Sequence, residues 1–229
     1  MTTPSYSLGE LQTEPQSGLG YRLRLPAPNQ PTRLLVLLHG VGSNETHLPD
    51  LAEGVPADTL VVLVRGPLQL GPAQFAFFQV NFTANGPQIN PAQAERSRQL
   101  LVTLLQQLQA AHGVAPAHSV LAGFSQGGIM SASVALSTPE CVQAFGLLSG
   151  RILPELEPLI AAPARLAGLQ ALVAHGEQDA TLPVHWAHAS DALLTRLGVP
   201  HQLRLYPMAH GISAQSQADF VEWLAALGG

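Results

Sequence analysis

Two kinds of apolar pattern alternate along the chain. "RLLVLLHG" and "TLVVLVRG" are unbroken apolar runs that end in glycine, the pattern of strands covered on both faces of a parallel sheet. "YRLRLP" alternates residue by residue and predicts an edge strand. Between Pro91 and Gly113, "PAQAERSRQLLVTLLQQLQAAHG" carries leucines at helical spacing, which predicts a long amphipathic helix. "SVLAG" then reads as a buried strand and "QGGIMSASVALS" as a helix, with Ile129, Val134 and Leu136 placed for packing. "AFGLLSG", "ALVAHGE" and "HQLRLYP" are further strands; "VHWAHASDALLTRLG" and "SAQSQADFVEWLAALGG" are helices, and "ETHLPDLAE" a short one. Alternation of this kind predicts an α/β fold with a mainly parallel central sheet and helices on both faces.

No internal repeat or linker interrupts the alternation, so residues 1–229 are expected to form one domain. The stretch from about Gly66 to Asn90 is the least regular and is expected to be a long loop. It carries four of the seven phenylalanines (Phe75, Phe77, Phe78 and Phe82), which makes it a candidate apolar wall for a site.

Composition removes several function classes. Charged residues are 11% of the chain and the formal net charge is −5, so the basic footprint of a nucleic-acid binder is missing. All ten basic residues are arginines, which excludes a P-loop lysine, a Schiff-base lysine and a Ser–Lys pair. The single cysteine, Cys141, has no internal disulfide partner and is expected to be a small buried hydrophobe. "MTTPSYSLGELQTEPQ" has neither the basic nor the apolar region of a secretory signal, and no run approaches the roughly eighteen apolar residues of a spanning helix. The expectation is a cytoplasmic protein without stable membrane insertion.

Against that background "VLAGFSQGGIM" carries the chemistry. Ser125 stands where a strand must turn sharply into a helix, and Gly123 and Gly127 let the chain pass itself on either side. Such a turn presents the serine Oγ beside a positive helix end, the G-x-S-x-G nucleophile elbow. A serine nucleophile needs a base, and a base needs an orienting acid. In this architecture both follow the serine, the acid first, at the C-terminal ends of strands. His210, after the last strand in "LYPMAHGIS", meets that requirement, whereas His201 precedes the strand and lies at the wrong edge. Asp179 in "HGEQDATLP" is the preferred acid, with Glu177 as rival and the helical Asp219 and Glu222 as poorer candidates. The developing oxyanion requires backbone donors, here Gln126 after the serine and Val41 in "LLHGVGSN". His185 and His188 lie one helical turn apart without an evident third metal ligand, and read as a helix-flank pair.

These segments resemble the phospholipase/carboxylesterase branch of the α/β-hydrolases, which includes acyl-protein thioesterases and small bacterial carboxylesterases. The resemblance rests on "LLVLLHGVGSNE", "GFSQGGIM", "LLSGRILPE", "HGEQDATLP" and "YPMAHGIS", in that order. It implies an α/β-hydrolase fold without a large cap domain, with Ser125, Asp179 and His210 at the family's triad positions and Val41 and Gln126 at its oxyanion hole. It implies Leu182 as a pocket residue beside Phe77 and Phe78. Two departures stand out: "AFFQV" replaces a Trp-aromatic-Asp element, and Ala209 replaces a glycine before the histidine.

The function that follows is hydrolysis of a carboxylic ester through an acyl-enzyme, with no metal or organic cofactor required. Thioesters, lysophospholipids, lactones and amides remain open as substrates of the same residues, as does a non-catalytic ligand-binding relative. The expected partner is a small-molecule ester or thioester, not nucleic acid; a homodimer is left open.

Overall fold

The computed structural model describes residues 6–83 and 86–227, with the backbone alone for residues 82, 83 and 86. In chain order the strands are β1 (Ser7–Leu8), β2 (Gln12–Thr13), β3 (Gly20–Leu25), β4 (Arg33–Leu38), β5 (Thr59–Val64), β6 (Leu68–Gly71), β7 (Gln74–Ala76), β8 (Val80–Thr83), β9 (Gly86–Ile89), β10 (Ser119–Phe124), β11 (Ala144–Leu148), β12 (Gln170–Gly176) and β13 (His201–Tyr206). The helices are α1 (Pro91–His112), α2 (Gln126–Ser137), α3 (Pro163–Leu166), α4 (His185–Leu197) and α5 (Ala214–Ala226).

The central sheet runs β1-β3-β5-β4-β10-β11-β12-β13, with β2 also paired to β3. From β5 through β13 every pairing is parallel, and the antiparallel strands β1, β2 and β3 gather at one side. Contrary to the expectation for "YRLRLP", β3 is not the edge: β1 and β2 pair with its outer side. Its alternation reflects half-burial instead, all six residues being intermediate in exposure.

The continuous apolar strands are covered twice over. Leu34, Val36 and Leu38 of β4 share one core with Leu101, Leu104, Leu105 and Leu108 of α1 and with Met130 and Val134 of α2. Leu35 and Leu37, pointing the other way, pack with Phe220, Trp223 and Leu224 of α5. The period of two along a strand therefore distributes one apolar run between two layers. Asn90 caps α1 by accepting the Gln93 N–H, Pro91 opens it, and Gly113 ends it in the left-handed region at φ 68°.

Two expectations are corrected. "ETHLPDLAE" forms only a single 3₁₀ turn at Pro49–Ala52, because Pro49 leaves no room for an earlier helical turn. The Gly66–Asn90 stretch is not a structureless loop but two antiparallel hairpins, β6–β7 and β8–β9. Among the described residues no helix is long and apolar enough to cross a membrane.

Candidate active site

Strand β4 lies between β5 on one side and β10 on the other, so the chain reverses its direction of winding there. At such a switch the loops leaving two neighbouring strands part and open a crevice at their C-terminal ends. Val41 leaves β4 and Ser125 leaves β10 at that crevice.

Ser125 adopts φ 55° and ψ −117°, a conformation unfavourable for any residue with a Cβ. The surroundings over-determine it: its N–H donates to Leu148 O at 2.8 Å and its carbonyl accepts the Ile129 N–H at 3.0 Å. The flanking glycines are obligatory on steric grounds. A Cβ on Gly127 would sit 2.0 Å from Leu38 O, and one on Gly123 2.4 Å from the Gly127 carbonyl carbon.

The elbow brings Ser125 Oγ to 3.0 Å from His210 Nε2, and His210 Nδ1 lies 2.6 Å from Asp179 Oδ2. Opposite an ionised Asp179, Nδ1 carries the proton and Nε2 is free to accept from the serine hydroxyl. Asp179 is 5% exposed, and its other oxygen, Oδ1, accepts the Thr181 and Leu182 N–H groups at 2.9 and 2.8 Å. Glu177, its rival, is exposed. His201 sits at the start of β13, bonded to Asp191 and the Val199 carbonyl, and Asp219 accepts from Tyr206. The Phe124 ring lies 4.9 Å from the His210 ring, and Ser149 donates to Gly211 O, so both neighbours fix the His210 loop.

The proposed oxyanion donors border the same cavity as Ser125. Gln126 is the first residue of α2, and its N–H belongs to the group that a helix leaves without an internal acceptor. Val41 N–H donates to no backbone carbonyl among the described residues, although its neighbours Gly42 and Ser43 do. The loop is held from beneath by His39, 1% exposed. Its Nε2 accepts the Gly66 N–H at 2.9 Å, and its Nδ1 donates to Gly40 O at 2.7 Å. Burial pushes the His39 pKa down to about 4, so the ring stays neutral in this role.

The phenylalanine-rich stretch divides. Phe78 borders the cavity with Val80, Pro87, Ile89, Ile129 and Leu182, and the cavity opens to solvent on one side. Phe77 does not border it; the ring is fully buried in the core, 5.2 Å from His39. Phe75 is half-buried beneath the Arg65 guanidinium, and the side chain of Phe82 lies outside the described residues.

Three side chains of the site have roles that the sequence reading does not assign. The Gln126 side chain clamps the Phe pair, accepting Phe77 N–H and donating to Phe78 O, both at 2.7 Å. His175, fully buried on β12, approaches Asp179 Oδ2 to 3.4 Å through an Nε2 that donates to Leu182 O. Arg151, just after β11, lines the cavity. An arginine inside the apolar "LLSGRILPE" is the one hint that the sequence offers for it.

The sheet order, the elbow and the loops at the C-terminal strand ends define an α/β-hydrolase. A family model described as phospholipase/carboxylesterase matches residues 25–227, and the chain belongs to that family. Among solved structures it is similar to a carboxylesterase from Mesorhizobium loti, 25% identical over 95% of this chain and 99% of that one, with a TM-score of 0.80. It is similar also to esterase PE8, 26% identical over 97% of this chain and 100% of that one, with a TM-score of 0.76. The Bacillus cereus carboxylesterase, at 19% identity over 93% and 97% of the two chains and a TM-score of 0.78, shares the fold. No curated protein matches the chain significantly. The chain is accordingly a serine hydrolase of carboxylesterase type.

Proposed function

We propose that the protein hydrolyses carboxylic esters of short acids through an acyl-enzyme, with Ser125 as nucleophile, His210 as general base and acid, and Asp179 as the group that orients His210. The observation that carries this reading is the unbroken row from Asp179 Oδ2 through His210 to Ser125 Oγ, at 2.6 and 3.0 Å. Attack by Oγ on the ester carbonyl carbon transfers the hydroxyl proton to His210 Nε2, and Asp179 stabilises the imidazolium that forms. The carbonyl oxygen, now negative, takes the N–H groups of Val41 and Gln126. His210 returns its proton to the departing alkoxide, and the acyl group stays on Ser125. A water molecule deprotonated by His210 then releases the acid and restores the serine.

In this reading each half of the ester takes its own side of the site. The alcohol leaves next to the group that protonates it, on the His210 side, where a wider cleft of about 400 Å³ is bordered by His47, Leu51, Phe124 and Ile212. The acyl half falls in the narrow cavity of Phe78, Ile129 and Leu182. It is far narrower than the cleft on the His210 side, which favours short acyl groups over fatty ones. Thioesters of short acids pass through the same tetrahedral intermediate and are included in the reading. All the proposed groups leave strands of one sheet, so the reaction is assigned to one domain.

The test is hydrolysis of p-nitrophenyl esters from acetate to decanoate by the wild type and Ser125→Ala. Turnover that peaks at short chains and disappears in the variant is expected. Equal rates for the two proteins would overturn the assignment of Ser125, and an optimum at decanoate would overturn the short-acyl reading.

A further inference from the structure

Of the ten arginines, Arg151 alone is buried, at 7% exposure. An isolated buried cation is costly unless paired, and proteins seldom retain one without a counter-charge. Arg151 has none among the described residues. Its Nε has no hydrogen-bond partner, and the ion pairs made by the other arginines do not include it. The carboxylate that acts on it through space, Glu155, is solvent-exposed. Burial accordingly pulls its pKa downward.

Trp186 of α4 covers one face of the guanidinium, 4.6 Å from its carbon. That contact offsets part of the desolvation but leaves the buried Nε–H without an acceptor. The same side chain borders the narrow cavity together with Ser125, Val41 and Gln126. A planar fork of donors with a buried, unpartnered Nε, bordering the cavity that Ser125 borders, is suited to receive a carboxylate in two parallel hydrogen bonds.

We infer that Arg151 binds an anionic group on the acyl half of the substrate, so that the preferred substrates are half-esters of short dicarboxylic acids. The inference rests on the esterase reading above and adds the substrate class. A free carboxylate at the far end of the acyl chain supplies the missing counter-charge and is held while Ser125 attacks the esterified end. Neutral acyl groups of equal length leave the guanidinium buried and unpaired.

The experiment compares monomethyl glutarate, methyl pentanoate and carboxymethyl pentanoate by acid release in a pH-stat. The proteins are the wild type, Arg151→Met, Arg151→Lys and Ser125→Ala, with folding checked by circular dichroism. The wild type is expected to prefer monomethyl glutarate to methyl pentanoate in kcat/KM. Arg151→Met should lower that ratio about ten- to hundredfold, the range for a charge-assisted hydrogen bond, and Arg151→Lys should recover part of it. A ratio unchanged in Arg151→Met overturns the inference, whatever the absolute rates. If Arg151→Met does not fold, a ratio in Arg151→Lys equal to the wild type's, with no wild-type preference for the half-ester, overturns it equally. Dependence on Arg151 confined to carboxymethyl pentanoate places the anion on the alcohol and overturns it as well. Failure of the esterase reading is distinguishable: the wild type then hydrolyses none of the three. In that event calorimetry with glutarate decides, a tenfold loss of affinity in Arg151→Met upholding the anion site and equal affinity overturning it.

Discussion

Asp179 spends its two oxygens on different tasks: Oδ2 lies 2.6 Å from His210 Nδ1, while Oδ1 accepts the Thr181 and Leu182 amides. The turn that follows the acid thus fixes its orientation independently of His210. Asp179→Asn preserves the shape but presents a donor where His210 needs an acceptor, forcing the wrong tautomer. Turnover of a short ester is expected to fall on the order of 10³- to 10⁴-fold with the circular dichroism spectrum unchanged. Activity near wild type would transfer the orienting role to Glu177.

The Gln126 side chain is expected to matter for stability and substrate fit more than for the chemical step. Gln126→Ala keeps the backbone N–H at the cavity but leaves Phe77 N–H and Phe78 O without their buried partners. The cost is about 2–4 kcal/mol in urea unfolding. KM for a short ester should rise more than kcat falls, because the amide at the oxyanion position is retained. A kcat loss of several hundredfold with KM unchanged would contradict this division.

Gly127→Ala should be far more severe than a usual helix substitution. A Cβ 2.0 Å from Leu38 O has nowhere to go, since the clash is with the backbone of β4. Destabilisation above about 4 kcal/mol, or loss of cooperative thermal unfolding, is expected. A melting temperature within a few degrees of wild type would show that the elbow and β4 can separate.

Acid should destabilise the fold in two stages. Burial holds the His39 pKa at about 4, below its ordinary 6.5. The unfolded chain therefore binds this proton first, and the stability from neutral His39 is complete above pH 6.5 and lost as pH falls from 6.5 toward 4. Buried His175, whose pKa is also lowered by desolvation, acts in the same direction. For Glu45, burial raises the pKa, but hydrogen bonds from Arg65 and Arg22 outweigh it and hold the value at about 2. That stability is complete above pH 4.5 and lost as pH falls from there toward 2. Urea midpoints between about pH 7.5 and 3 should decline from about 6.5 downward, and a flat profile to pH 4.5 would contradict the role of His39.

How much was legible in the sequence follows from what each residue depends on. Ser125 is legible because its constraint is local: two glycines within two positions of it permit a backbone approach that no other residue allows. His210 and Asp179 are legible as positions after strands, since the apolar run of β12 and the alternation of β13 identify which end of the sheet they leave. The hairpins between Leu68 and Ile89 are not legible: strands of three or four residues carry too few positions for a period of two. They are held by distant partners instead, through the Phe75–Ser43 bridge and the Gln126 clamp. Arg151 looks like a surface charge in sequence because the residue that covers it, Trp186, belongs to a helix far along the chain.

The triad is tested without a substrate by the intact mass of the protein after brief exposure to a fluorophosphonate, for the wild type, Ser125→Ala and His210→Ala. A single adduct is expected on the wild type, located on the peptide containing Ser125, none on Ser125→Ala, and labelling slowed at least about a hundredfold, on the order expected for loss of the base, in His210→Ala. An unlabelled wild type, or an adduct that persists in Ser125→Ala, would contradict it.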